Sequence, residues 1–227
     1  MHKAIPYGKQ EITQQDLDAV ASALQHDFLT QGPRIQEFEE AFAKYVGARY
    51  AIAVNNGTTA LHLAYLGGNV GPGDKIISTP ITFAATANAA LYTGAKVVFA
   101  DVDPNTGLID LDMVVDMLEH AQPGEFKGLT PVSLAGLPVD MERCRKIADD
   151  YGLYLIEDAC HAPGGSFIDS NGIERKCGDG TLADATIFSF HPVKHIACGE
   201  GGMVTTNNEE VANRLRMLRT HGITKDN

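Results

Sequence analysis

Three short stretches of this 227-residue sequence put reactive side chains where they could do chemistry. In FSFHPVKHIACGEGG, Phe188 to Gly202, Lys194 stands among apolar residues and runs on into glycines. A lysine near a strand end in such company can be held as the free amine, the nucleophile of Schiff-base chemistry; a solvated lysine on a loop tip is the plain alternative. In LYLIEDACHA, Asp158 follows an apolar run. A carboxylate at the end of a buried strand needs a cation or donors to offset its lost hydration, which a cofactor, a structural ion pair or a helix cap would each provide. His161, three residues on, reads as a hydrogen-bonded histidine at a pocket rim. In AIAVNNGTTALHLA, Gly57, Thr58 and Thr59 fall where a strand gives way to a helix. Free N–H groups and hydroxyls there suit a phosphate, and the glycine permits close approach, although a Thr-capped helix accounts for the same residues. Taken together, a phosphate cradle, a strand-end Asp and a strand-end Lys match the needs of pyridoxal phosphate (PLP), which has a phosphate to anchor, a ring nitrogen to keep protonated and an aldehyde to capture.

These stretches need a frame that carries them to one place. Short β-type runs recur at AIAV (51–54), KIIS (75–78), KVVFA (96–100), LTPV (129–132), LYLIE (153–157) and TIFSF (186–190), with helix-like segments at 59–66, 112–119 and 140–151 between them. Alternation of this kind predicts an α/β fold, a three-layer αβα sandwich with a mostly parallel sheet covered on both faces. In such sheets function gathers at the carboxyl ends of the strands, which singles out 55–59, 157–161 and 189–194. Ahead of the sheet, Thr13 and Asp16 form a capping-box variant before Leu17, Val20, Ala21 and Leu24 at helical spacing. After Gly32-Pro33, the stripe Ile35, Phe38, Phe42, Tyr45 and Val46 reads as core packing on a second helix that Gly47 ends. SFIDSNGIERKCG predicts a hairpin turning at Ser170-Asn171-Gly172, outside the main sheet. MVTT (203–206) predicts a further strand, and Asn208 caps a last helix carrying Val211, Leu215 and Leu218.

Composition narrows the field. The 18 Lys and Arg against 29 Asp and Glu leave a formal net charge of −11, which argues against a nucleic-acid partner. Cys144, Cys160, Cys177 and Cys198 show no CxxC pairing, as expected of reduced thiols in the cytoplasm. The start, MHKAIPYGKQEI, lacks a signal-peptide core, and no apolar run is long enough for a membrane span. A zinc site is disfavoured because His191 and His195 are separated by Pro192 and the cysteines are scattered, so no metal ligand is assigned. GEGGM lacks the GxGxxG spacing of a nicotinamide site.

The motifs FLTQGPRIQEFEEAFAKYVGARYAIAVNNGTTALHLA, TPITFAATANAALYTGAKVVFADVD, PVSLAGLPVDM, LIEDACHAPG and FSFHPVKHIACGEGGMVTT span nearly the whole chain. In that order they resemble the DegT-type nucleotide-sugar aminotransferases, PLP-dependent enzymes of fold type I. The EDACHA and HPVKH forms are most similar to the branch that makes UDP-4-amino-4,6-dideoxy-N-acetyl-altrosamine on the way to pseudaminic acid. The resemblance implies that Lys194 carries the cofactor and shuttles the proton, and that Asp158 pairs with the ring nitrogen. It further implies that Thr58, Thr59 and Ser189 bind the phosphate beside Gly57, that Phe83 stacks on the ring, and that His161 lies beside the ring and its phenolic oxygen. The implied reaction passes an amino group from an amino acid, usually glutamate, to the 4-keto carbon of a nucleotide-linked 6-deoxy sugar. A homodimer with active sites at its interface is expected.

Relatives of this kind often have His where Ser133 stands in PVSLAG. They also continue for well over a hundred residues, so residues 1–227 are expected to be an N-terminal segment plus the PLP-binding large domain, with the family's C-terminal small domain absent. Two alternatives stay open: a cofactor-binding or regulatory homologue without turnover, and an aminotransferase acting on another keto-sugar. Related sugar dehydratases replace the Schiff-base lysine with histidine, and Lys194 argues against them.

Overall fold

The computed structural model describes residues 8–223. A seven-stranded sheet runs in the order β1 (Tyr50–Val54), β9 (Gly202–Thr206), β8 (Ala185–Ser189), β5 (Tyr154–Asp158), β4 (Gly128–Thr130), β2 (Lys75–Ser78) and β3 (Lys96–Phe99). Pairing is parallel from β8 through β3, whereas β9 is antiparallel to both β1 and β8. Two antiparallel steps cancel, so every strand except β9 points the same way. The carboxyl ends of β1, β2, β4, β5 and β8 therefore share one edge, where β9 begins.

Helices α1 (Gln14–Leu24), α2 (Pro33–Val46), α3 (Gly57–Gly67), α4 (Ala85–Tyr92), α5 (Leu111–Glu119), α6 (Met141–Tyr151) and α7 (Glu209–Arg219) complete the chain. Side chains alternate across the strands, and both faces are apolar. Ile52, Ile76, Ile156, Ile187 and Val204 form one core with buried residues of α3, α4 and α7. Their strand neighbours Ile77, Leu129 and Leu155 join α5 and α6 on the other face, and Ala51, Phe188 and Met203 join Phe42 and Val46 of α2. The predicted three layers are thus present. The hairpin also forms, as β6 (Ser166–Ile168) and β7 (Glu174–Lys176) in a separate two-stranded sheet with Gly172 at positive φ.

The helix ends follow their sequence signals. Thr13 and Asp16 close a reciprocal capping box on α1, and Gly47 ends α2 in the left-handed region at φ 93°. The reading of the whole α2 stripe as core is corrected. Phe42 and Val46 are buried, but Ile35, Phe38 and Tyr45 are 36, 42 and 47% exposed. The helix buries one narrow edge on the sheet, where Phe42 packs edge-on against Phe188 and Phe190. α1 buries none of its residues, and its apolar face stays open.

One buried charge helps hold the frame behind the shared edge. Glu157 of β5 is 3% exposed and accepts hydrogen bonds from the Ser133 hydroxyl at 2.9 Å, the Thr186 hydroxyl at 3.2 Å and the Gly178 N–H at 3.3 Å. This ties the loop after β4, strand β8 and the segment after β7 to one carboxylate. Burial pushes the Glu157 carboxyl up, against those donors. The folded protein then holds a proton that the unfolded chain releases, so this group's contribution to stability is full below the ordinary carboxylate range and falls as pH rises through the raised value. Glu157→Gln is expected to remove that slope from a plot of denaturation midpoint against pH. At neutral pH the same variant is expected to lose about 1–3 kcal/mol, because its amide must turn a donor toward donors.

Candidate functional site

At the shared strand edge lies a cavity of about 310 Å3. Its walls come from the ends of β1 (Asn56, Gly57, Thr58), β2 (Thr82, Phe83, Thr86), β5 (Asp158, Cys160, His161) and β8 (Ser189, His191, Lys194). Of the residues singled out in the sequence, Gly57, Thr58, Phe83, Asp158, His161, Ser189 and Lys194 all line it. Thr59 does not; one residue further into α3, it gives its N–H to the Asn56 side chain at 2.8 Å. That cap leaves the N–H groups of Gly57 and Thr58 in the unpaired first turn. The helix start therefore offers donors and a partial positive charge to the cavity.

Asp158 is 3% exposed and firmly held. Its N–H donates to Pro131 O at 2.9 Å and its carbonyl accepts from the Ser133 N–H at 3.0 Å, which continues the β4–β5 pairing one step past the strand. Its carboxylate accepts from the Cys160 N–H at 3.1 Å and from the Thr86 hydroxyl at 2.7 Å. Both partners are neutral donors, so neither brings a positive charge to the carboxyl group at the cavity wall.

Lys194 is half-buried on the loop that joins β8 to the reversed β9. Phe190 pins the base of this loop, donating to Gly201 O at 2.9 Å and accepting from the Cys198 N–H at 3.0 Å, and Lys194 N–H closes a turn onto His191 O at 2.8 Å. The chain packs too tightly here for larger residues. A Cβ on Gly57 would lie 2.8 Å from the Ser189 Cβ, and one on Gly202 would lie 2.4 Å from Asn56 O.

His161 accepts the Ala135 N–H at its Nδ1, at 3.3 Å. Ala135 sits at φ 53°, a left-handed conformation that a residue with a Cβ adopts only under tertiary constraint. Burial lowers the His161 pKa, and the Lys194 and His195 charges add to the effect while Asp158 opposes it. A neutral ring whose Nδ1 accepts must carry its proton on Nε2, leaving a donor at the cavity. His195 turns away and bonds the Pro163 carbonyl at 2.9 Å through Nε2. Ser133 is buried at Glu157 on the other side of β5 and takes no part in the cavity lining.

Thr82 and Thr86 were not singled out in the sequence, whereas Asn56 falls within the segment 55–59 that was. Thr82 and Thr86 follow β2, so the same strand-end rule that found the other segments points to them. A larger groove of about 570 Å3 lies between α2, β1 and α7. Its Glu39 and Arg219 are paired with each other and engage the edge backbone at Ala53, Glu39 accepting its N–H at 2.8 Å and Arg219 donating to its carbonyl at 3.0 Å.

A mostly parallel sheet with this cavity at its strand ends defines the PLP-dependent transferase fold of type I. The chain belongs to the DegT/DnrJ/EryC1/StrS aminotransferase family, which it matches over residues 10–227. It is 40% identical over 221 residues to the spore coat polysaccharide biosynthesis protein SpsC of Bacillus subtilis, covering 97% of this chain and 54% of that one. It is likewise 40% identical over 222 residues to the UDP-4-amino-4,6-dideoxy-N-acetyl-beta-L-altrosamine transaminase of Campylobacter jejuni, covering 97% of this chain and 56% of that one. Among solved structures, Helicobacter pylori PseC, an aminotransferase of pseudaminic acid biosynthesis, aligns with a TM-score of 0.86 and 34% identity, covering 99% of this chain and 58% of that one. The chain thus spans little more than half the length of the relatives it matches. Aminotransferases of this family depend on PLP.

The depressed His161 pKa gives a direct expectation. Nitrogen-15 NMR of histidine-labelled protein should show His161 neutral at pH 7 with its proton on Nε2. Its share of stability should be present above the ordinary imidazole value and lost as pH falls through the lowered one. An imidazolium at pH 7, or a proton on Nδ1, would contradict the geometry.

Proposed function

We propose that this chain holds the cofactor site of a PLP-dependent aminotransferase that passes an amino group from glutamate to the 4-keto carbon of a nucleotide-linked 4-keto-6-deoxy sugar. The observation that most supports this is the meeting of a lysine, a buried carboxylate and a helix start in one cavity. The residues fit the group on their own chemistry: donors and a side-chain-free glycine for a phosphate, and a carboxylate facing the cavity for a protonated ring nitrogen. When bound, PLP supplies an aldehyde that exchanges amines and a ring that draws electrons from the carbon losing its proton.

The chain's own residues supply the rest. The Gly57 and Thr58 N–H groups, with the Thr58 and Ser189 hydroxyls, hold the phosphate at the α3 start, and Thr59 supports that turn through its bond to Asn56. Asp158 keeps the proton on the ring nitrogen. Phe83 gives the ring an aromatic wall, and the His161 Nε2–H donates toward the ring's oxygen. Lys194 is the amine that would hold the aldehyde, and the same nitrogen would take a proton from the donor's α-carbon and return it during the exchange. The reaction runs twice, once with each substrate, and Lys194 serves both halves.

We also read the protein as a cytoplasmic homodimer. Phe83 lines the cavity yet is 72% exposed, and Ile81, two residues before it, and Val193 and Ile196 on either side of Lys194 are 44 to 47% exposed, a rim that a second subunit would cover. All four cysteines are free, in keeping with a reducing compartment. A product on the route to pseudaminic acid is favoured by the altrosamine transaminase and by PseC. The equal identity to SpsC supports a sugar substrate of the same general class without favouring that one product.

Incubation with PLP followed by borohydride and peptide mapping should place the reduced adduct on Lys194. Lys194→Ala should lose the adduct and at least about 1,000-fold in turnover, since both proton transfers and the amine exchange pass through that nitrogen. A label confined to another lysine would overturn the assignment. If glutamate shifts the spectrum of the bound cofactor and no 4-keto nucleotide sugar restores it, the donor half stands and the acceptor falls.

A further inference from the structure

Beneath the cavity runs a chain of hydroxyls that ends on Asp158. Thr86, in the first turn of α4 and 1% exposed, donates to Asp158 Oδ2 at 2.7 Å. A hydroxyl has a single proton, and an ionised carboxylate can only accept, so the Thr86 proton is committed. The Thr82 and Thr86 hydroxyl oxygens are 2.7 Å apart, and Thr82 must therefore be the donor in that pair. The order is fixed: Thr82 to Thr86 to Asp158. Thr82 also lines the cavity.

A third residue holds the chain from below. The Tyr65 hydroxyl of α3 lies 3.1 Å from the Thr86 carbonyl and 3.1 Å from Thr130 Oγ1, and the Tyr65 side chain is 1% exposed. Burial raises its pKa far above the ordinary phenol value, so it stays a neutral hydroxyl. Ser78 donates to the Thr130 carbonyl at 2.9 Å and ties the end of β2 to that of β4 beside it. The α4 start is thereby anchored to α3 and to the sheet through polar groups with little freedom to reorient.

We infer that the directed chain Thr82 to Thr86, anchored by Tyr65, is a positioning relay for Asp158. It takes one lone pair of Oδ2 while the Cys160 N–H takes one of Oδ1, so the carboxylate cannot rotate and its remaining lone pairs are left for a cation in the cavity. The inference rests on the proposal that Asp158 receives the protonated ring nitrogen of PLP. Thr82, Thr86 and Tyr65 are positioning residues, acting through Asp158 and not on the reacting atoms.

The test compares substitutions that separate hydroxyl from volume. Thr86→Val keeps the shape and deletes the donor; Thr86→Ser keeps the donor and deletes a methyl. PLP affinity of the cofactor-free protein, measured by equilibrium dialysis, and the circular dichroism of the bound cofactor band are read together with the thermal midpoint. Thr86→Val is expected to weaken PLP binding by roughly tenfold and to alter the dichroic band, on the scale of one charge-assisted hydrogen bond. Thr86→Ser should bind like wild type, and Thr82→Val should fall between. Serine as weak as valine, or valine as tight as wild type, would overturn the relay. If Thr86→Val does not fold, the half-buried Thr82→Val decides, and unchanged affinity and dichroism there would overturn it. Asp158→Asn separates the levels: if it leaves PLP affinity unchanged, the proposed role of Asp158 fails and the relay loses its purpose. If it weakens binding while the threonine variants do not, the relay alone fails.

Discussion

Withdrawing an ionised carboxylate almost fully from water costs several kcal/mol, roughly, even after a protein relaxes around it. Asp158 meets that cost with a neutral hydroxyl and a neutral amide, hydrogen bonds worth about 1.5–3 kcal/mol each when the acceptor is charged. The arrangement leaves an attraction for a cation inside the cavity. Much of the surrounding structure can be understood from that one group. β4 and β8 bind its backbone neighbours, α4 brings Thr86 to it, and the cavity opens beside it. A parallel sheet is the economical way to do this, because its strand ends fall together while its body stays dry.

The reversed strand β9 adds what a fully parallel sheet would lack. After β8 a loop over residues 190–201 returns the chain as the antiparallel neighbour β9, and that loop holds Lys194 at the cavity without a helical crossover. Phe190 bonds both Gly201 and Cys198 at the loop base, so Lys194 sits on a tethered segment. The return passes beside the start of α3, where Gly57 and Gly202 leave no room for a side chain. Their lack of a Cβ lets the phosphate-side turn and the lysine loop lie against each other. Without that closeness the helix start and the amine would belong to separate sites.

Much of this was legible in the sequence, for identifiable reasons. Strand runs such as KIIS and TIFSF alternate across two apolar faces, and the caps at Thr13, Gly47 and Asn208 are local, so their signals survive without tertiary information. Gly57, Thr58, Asp158 and Lys194 were visible because a strand-end rule converts linear position into spatial position. What stayed hidden depends on partners distant in sequence. Thr86 looks like one more small residue in FAATANAA until Asp158, 72 positions away, is brought to it. Nothing local reports that β9 inserts between β1 and β8, or that Ile35, Phe38 and Tyr45 of the α2 stripe stay partly exposed.

The neighbouring acids of β5 make the same point more sharply. Glu157 and Asp158 stand side by side in the sequence and are equally buried, yet the pleat sends them to opposite faces. Glu157 meets the Ser133 and Thr186 hydroxyls and the Gly178 amide in packed interior, where its acceptors are used up on the frame. Asp158 meets one hydroxyl and one amide and then open volume. Burial is alike in the two; unfilled valence and space are not. That difference also accounts for Ser133. A histidine at 133 would bring a larger ring into the closed Glu157 pocket, whereas serine supplies a donor of the right size there. Ser133 therefore supports the carboxylate that builds the sheet and leaves the one that faces the cavity to Thr86 and Cys160.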